Sequence, residues 1–151
     1  MAGGIKIVDK NKRAHFDFFL FEKYEAGIVL KGVEVKSIRG GKAKIADAWI
    51  KVDSSGEVWI QNMYIAHYEF GNIHNELENR TRKLLLGKKE IAEIELEQKK
   101  QNYTIVPTKL YFKGSKVKIE IALGKGKQQH DKRHDQAKKD VERKLQRGQY
   151  E

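Results

Sequence analysis

Apolar and polar residues alternate with a period of two along much of this chain, the pattern of strands buried on one face. In "AWIKV" and "EVWIQ", Ile50 and Val52 share a face with Val58 and Ile60, while Trp49 and Trp59 take the other. The "DSSG" between them makes the pair a hairpin. A second hairpin is predicted in "TKLYFKGSKVKIEIAL", where Gly114-Ser115 supplies a Gly-first two-residue turn and Val117, Ile119, Ile121 and Leu123 alternate with Lys118, Glu120 and Ala122. Upstream, "HFDFFLFEKYEAGIVLKG" is aromatic and β-branched enough for one long strand, bent at Gly27.

Two stretches break the alternation. "GKKEIAEIELEQKKQN" is rich in helix formers, sets Glu95 four residues before Lys99 and meets Asn102 as a stop. "VEVKSIRGG" predicts a shorter helix closed by Gly40. Many strands with two or three peripheral helices in roughly 120 residues give a mainly β fold, a small antiparallel barrel of the OB type, with sandwiches left open by pattern alone.

After Leu123 the periodic apolar residues nearly stop, which divides the chain into a barrel over 1–124 and a tail over 125–151. The tail holds nine Lys and Arg against five Asp and Glu, a net +4. With so little to bury, it is expected to be disordered when free. Wound as a helix on a partner, it would align His130, His134, Ala137, Val141, Leu145 and Gly148 in one stripe, with cations around most of the rest. The alternative is a solvated tail that serves solubility.

Charge extends this reading to the whole molecule. With 31 Lys and Arg against 21 Asp and Glu, the 151 residues carry a net +10, which points to a polyanionic partner. No apolar run suits a membrane, no cysteine is present, and no apolar signal segment opens the chain, so a cytoplasmic protein is expected.

The chemical alternatives are weak. His130 with Asp131 and His134 with Asp135 suggest a metal site or a metal-dependent nuclease, but Lys125, Lys127, Lys132 and Arg133 surround them and repel a cation. "GKGK" and "GGKAK" lack the spacing of a phosphate-cradling loop, and no serine or cysteine sits in a nucleophile context. No cofactor is implied, and His15, His67 and His74 read as surface or packing residues.

"NKRAHFDFF" at 11–19, "YEAGIVLKGVEVKSIRGGKA" at 24–43, "RTRKLLLGKKEI" at 80–91 and "YTIVPTKLYFKGSKVKIEIALGKGKQQHDKR" at 103–133 occur in that order. Together they resemble the successive blocks of the SsrA-binding protein (small protein B) family, the partners of transfer-messenger RNA. One departure stands out: Leu77-Glu78 occupies the place of the family's Asp-Pro. The resemblance implies an OB-fold barrel and a monomeric, non-enzymatic adaptor. It would grip the tRNA-like domain of that RNA and deliver it to stalled ribosomes for trans-translation.

The same resemblance implies RNA contacts at Asn11, Lys12, Arg13, Glu25, Lys36, Arg39, Asn62, Tyr64, Arg80, Arg82, Lys83, Leu85 and Lys118. Cations would fix register on phosphates while Tyr64 or Leu85 packs on a base. Glu25 would accept from a base amino group or hold a neighbouring cation, and which of Leu84, Leu85 and Leu86 faces outward is open. The tail would enter the empty messenger channel near the decoding centre. There Gly126 turns the chain off the last strand, Lys125, Lys127, Asp131, Lys132 and Arg133 contact the ribosome, and His130 stacks on a base. A generic OB-fold RNA-binding or ribosome-associated protein is the competing reading.

Overall fold

The computed structural model describes residues 4–68 and 78–128. Its strands are β1 (Ile5–Lys10), β2 (Phe18–Ile28), β3 (Ala43–Lys44), β4 (Trp49–Val52), β5 (Val58–Gln61), β6 (Tyr64–Ile65), β7 (Arg82–Leu85), β8 (Thr104–Lys113) and β9 (Lys116–Gly126). Among the described residues three helices are interspersed: α1 (Lys12–Asp17), α2 (Gly32–Arg39) and α3 (Lys88–Gln101). Seven strands form one antiparallel sheet in the order β1-β8-β9-β2-β7-β5-β4, and β3 pairs with β6 apart from it. The sheet curls until β4 packs on β8, the OB-like barrel the alternation predicted.

Both hairpins keep their expected register. Ile50 faces Ile60 and Val52 faces Val58, which places three of those four side chains in the core, with Val52 packed against it. In the β8–β9 hairpin Lys113 pairs with Lys116, and Gly114 takes the positive φ of 64° that a Gly-first turn requires. Ile119, Ile121 and Leu123 point inward beside Ile60, Ile94 and Ile105, all at most 1% exposed. Glu34 and Glu90 reach back to the backbone N–H groups of Lys31 and Gly87 at 2.8 and 3.1 Å, so α2 and α3 begin with half of a capping box each. Asn102 ends α3 in the left-handed region at φ 55°.

The long strand predicted from His15 onward is corrected at its start. Residues 12–17 form α1, because the Asn11 side chain accepts from the Ala14 N–H at 3.2 Å and donates to the Pro107 carbonyl at 2.8 Å. That turn is pinned by a residue 96 positions away, a contact that outweighs the strand preference of the aromatic run. The irregularity in β2 also lies elsewhere, since its register against β9 shifts between Leu20 and Lys23 and runs straight through Gly27. At the other end, β9 continues to Gly126, which pairs with Phe18, so the strand runs two residues past the expected boundary at 124.

Candidate RNA interface

Strand alternation brings several of the anticipated RNA contacts to one outer face of the sheet. Gly27 pairs with Lys118 on one side and with Leu85 on the other, and Lys118 pairs in turn with Tyr111. The row Tyr111–Lys118–Gly27–Leu85 therefore crosses four adjacent strands. Leu84 is 2% exposed and Leu85 52%, so the middle leucine of the three is the one that faces outward. Gly27 keeps the row low, and the atoms nearest to where a Cβ would stand belong to Leu85 and the Lys118 ammonium, at 3.5–3.9 Å.

Glu25 lies two residues before Gly27 on the same face. It accepts a hydrogen bond from the Tyr111 hydroxyl at 2.5 Å and one from Lys113 Nζ at 3.4 Å. The Tyr111 bond, aided by Lys113 and Lys118, holds its carboxyl below the usual carboxylate range against the opposing effect of partial burial. The neighbouring cation that Glu25 meets is Lys113. Lys83, on the same face as Leu85, reaches Glu57 at 3.3 Å.

A second group gathers around α1, α2 and the segment before β7. Lys12 and Arg13 are exposed on α1, and Arg13 lies 3.7 Å from Asp47. Lys36 and Arg39 are exposed on α2, above the rings of Tyr68 and Phe112 at 5.4 and 5.6 Å. Asn62, at φ 60°, donates to the Asp47 carbonyl and accepts from Asn79, both at 3.3 Å. Tyr64 is 41% exposed and donates to Glu78 at 3.2 Å. A groove of about 640 Å³ opens among Lys44, Asp47, Asn62, Tyr64, His67 and Asn79.

One carboxylate organises this group. Glu34 accepts from Arg80 Nη2 at 2.6 Å and Arg82 Nε at 2.7 Å, while Arg82 also donates to the carbonyls of Met63, Arg80 and Glu78. Burial would raise the Glu34 carboxyl, but Arg80, the Lys31 amide and Arg82 together hold it below its ordinary range. Arg82 is 1% exposed and Asn11 5%, so these two expected RNA contacts face inward. Asn11 fixes α1 and Arg82 ties β7 to α2, while Lys12, Arg13 and Arg80 remain nearer the surface.

A family profile described as SmpB protein matches residues 8–151. The chain belongs to the SmpB family. The SsrA-binding protein of Anoxybacillus flavithermus is 48% identical over 142 residues, covering 94% of this chain and 92% of that relative. That of Geotalea uraniireducens is 49% identical over 138 residues, 91% of each chain. A solved chain described under "tmRNA-SmpB: a journey to the center of the bacterial ribosome" superposes with a TM-score of 0.66 at 38% identity, over 83% of this chain and 91% of that one.

Of the tail positions expected from the SmpB resemblance, Lys125, Gly126 and Lys127 are held on the barrel. Lys125 pairs with Phe19, and the Lys127 N–H donates to the Asp17 carbonyl at 2.9 Å. Lys127 Nζ donates to the His15 carbonyl at 3.1 Å and lies 5.1 Å from the centre of the Phe19 ring. Gly126 is the last residue of β9 and pairs with Phe18. His130, Asp131, Lys132, Arg133 and Leu77 lie outside the described residues, as do His74 and the predicted stripe. Sequence reasoning missed Glu34, Tyr111 and Lys113. The spacing of Lys31 and Glu34 signals the cap, but nothing local signals partners 46 and 48 residues away.

Proposed function

We propose that this SmpB-family chain is a non-enzymatic adaptor that binds the tRNA-like domain of transfer-messenger RNA and brings it to stalled ribosomes. The observation that carries this reading is the outer row Lys118–Gly27–Leu85 with the Glu25–Lys113 pair beside it. It offers a phosphate partner, an exposed apolar side chain and an unobstructed backbone on adjacent rigid strands, a combination suited to RNA shape and unstacked bases. The groups around it bind and orient and break no bond. The protein works in the cytoplasm, and residues after Gln128 enter the empty messenger channel, where their cations meet ribosomal phosphates.

Two proteins test this, the full chain and one ending at Gln128. Both should bind the tRNA-like RNA within about tenfold of each other, with an affinity that falls with salt by about 0.7–0.9 log units per log unit of salt for each phosphate contact. Only the full chain should support peptide tagging on stalled ribosomes. A generic RNA-binding protein would bind an unrelated folded RNA of equal size as tightly, and that result overturns the assignment.

A further inference from the structure

Where β2 and β9 run on past the barrel, the inner face of the ribbon is left uncovered. Phe19 and Phe21 project there, 45% and 46% exposed. Two residues apart in one strand, they are spaced by about 6.6 Å. Phe21 is backed by Tyr103, stacked at 4.9 Å between ring centres with planes 26° apart. Phe19 is backed by Lys127, whose backbone and ammonium are both tied to carbonyls of α1. Exposed Lys125 stands directly across from Phe19. Neither phenylalanine belongs to the outer row or to the group around Glu34.

We propose that Phe19 and Phe21 form a stacking platform for unpaired bases of single-stranded RNA, separate from the surface that grips the tRNA-like domain. Exposed ring faces held in fixed orientation take a base regardless of its identity, and flanking lysines follow the phosphates. Charge selects this occupant over an apolar protein surface, because exposed Lys125 stands across from Phe19 and the Lys127 ammonium lies over its ring, and an apolar partner would strip water from both cations. Duplex RNA does not fit, since its base faces are already stacked. The inference rests on the reading of the chain as an RNA-binding protein and adds a second, structurally distinct contact to it.

The test uses the full chain, with Phe19→Leu and Phe21→Leu combined. Leucine keeps an apolar side chain there and removes the π-face, and a thermal melt confirms that the variant folds. The probes are a labelled twelve-nucleotide oligo(A), the same backbone with abasic sites, and the tRNA-like RNA. The double variant should bind oligo(A) about ten- to a hundredfold more weakly than wild type and the tRNA-like RNA equally well. Wild type should prefer oligo(A) over the abasic strand by a similar factor. Unchanged oligo(A) binding in the variant, equal binding of the abasic strand, or an equal loss for both RNAs overturns the platform. Failure of the wild-type protein to bind the tRNA-like RNA would instead overturn the functional reading and leave the oligo(A) comparison standing.

Discussion

Glu34 carries one negative charge between two guanidinium groups, and its side chain is 5% exposed. Removing that charge takes from Arg82, whose side chain is wholly buried, its Glu34 carboxylate partner. Glu34→Gln should therefore cost about 3–5 kcal/mol in urea unfolding at pH 7. Because the folded carboxyl titrates below its ordinary value of 4.5, its contribution is complete above that pH and fades as pH falls through the folded value. The gap between wild type and Glu34→Gln should consequently narrow on going from pH 6 to pH 3. A gap that stays constant over that range would mean the arginines do not depend on the carboxylate.

At the scale of elements, Gly27 shows how a strand position serves binding more than folding. A Cβ there meets Leu85 at 3.5 Å, an ordinary contact, and the backbone is not in the left-handed region. Gly27→Leu should leave the unfolding midpoint nearly unchanged, yet it raises a side chain over Leu85 and Lys118 and should weaken binding to the tRNA-like RNA about tenfold, or roughly 1.4 kcal/mol. Parallel unfolding and RNA titrations separate the two effects. The two hairpins and the two longer helices were legible in the sequence because their signals are local: period-two alternation, a Gly-Ser turn, a run of helix formers ending at Asn102. Helix α1 was not, because it depends on Asn11 meeting Pro107 across the fold. The same holds for the candidate site, where residue types and strand faces were readable but the burial of Asn11 and Arg82 and the pairing of Glu25 with Lys113 arise only from tertiary neighbours.

For the whole molecule, the end of β9 is where the barrel closes against α1. Gly124, Lys125 and Gly126 pair with Leu20, Phe19 and Phe18, and Lys127 closes the edge against α1. A chain cut after Leu123 loses this ribbon and should be about 2–4 kcal/mol less stable to urea than one cut after Gln128, from several backbone hydrogen bonds at about 1 kcal/mol each. Equal midpoints would place the end of the cooperative unit at Leu123. Lys127 has a further mechanical meaning, because it fixes the point from which everything after it is paid out. The 23 residues beyond Gln128 reach about 80 Å if drawn straight and about 35 Å if wound as a helix. Joined to the barrel at that clasp, they stay within that distance of any surface on which the barrel has landed. Any contact they make with a second surface is then intramolecular, at an effective concentration set by chain length and no longer by the number of molecules in the cell.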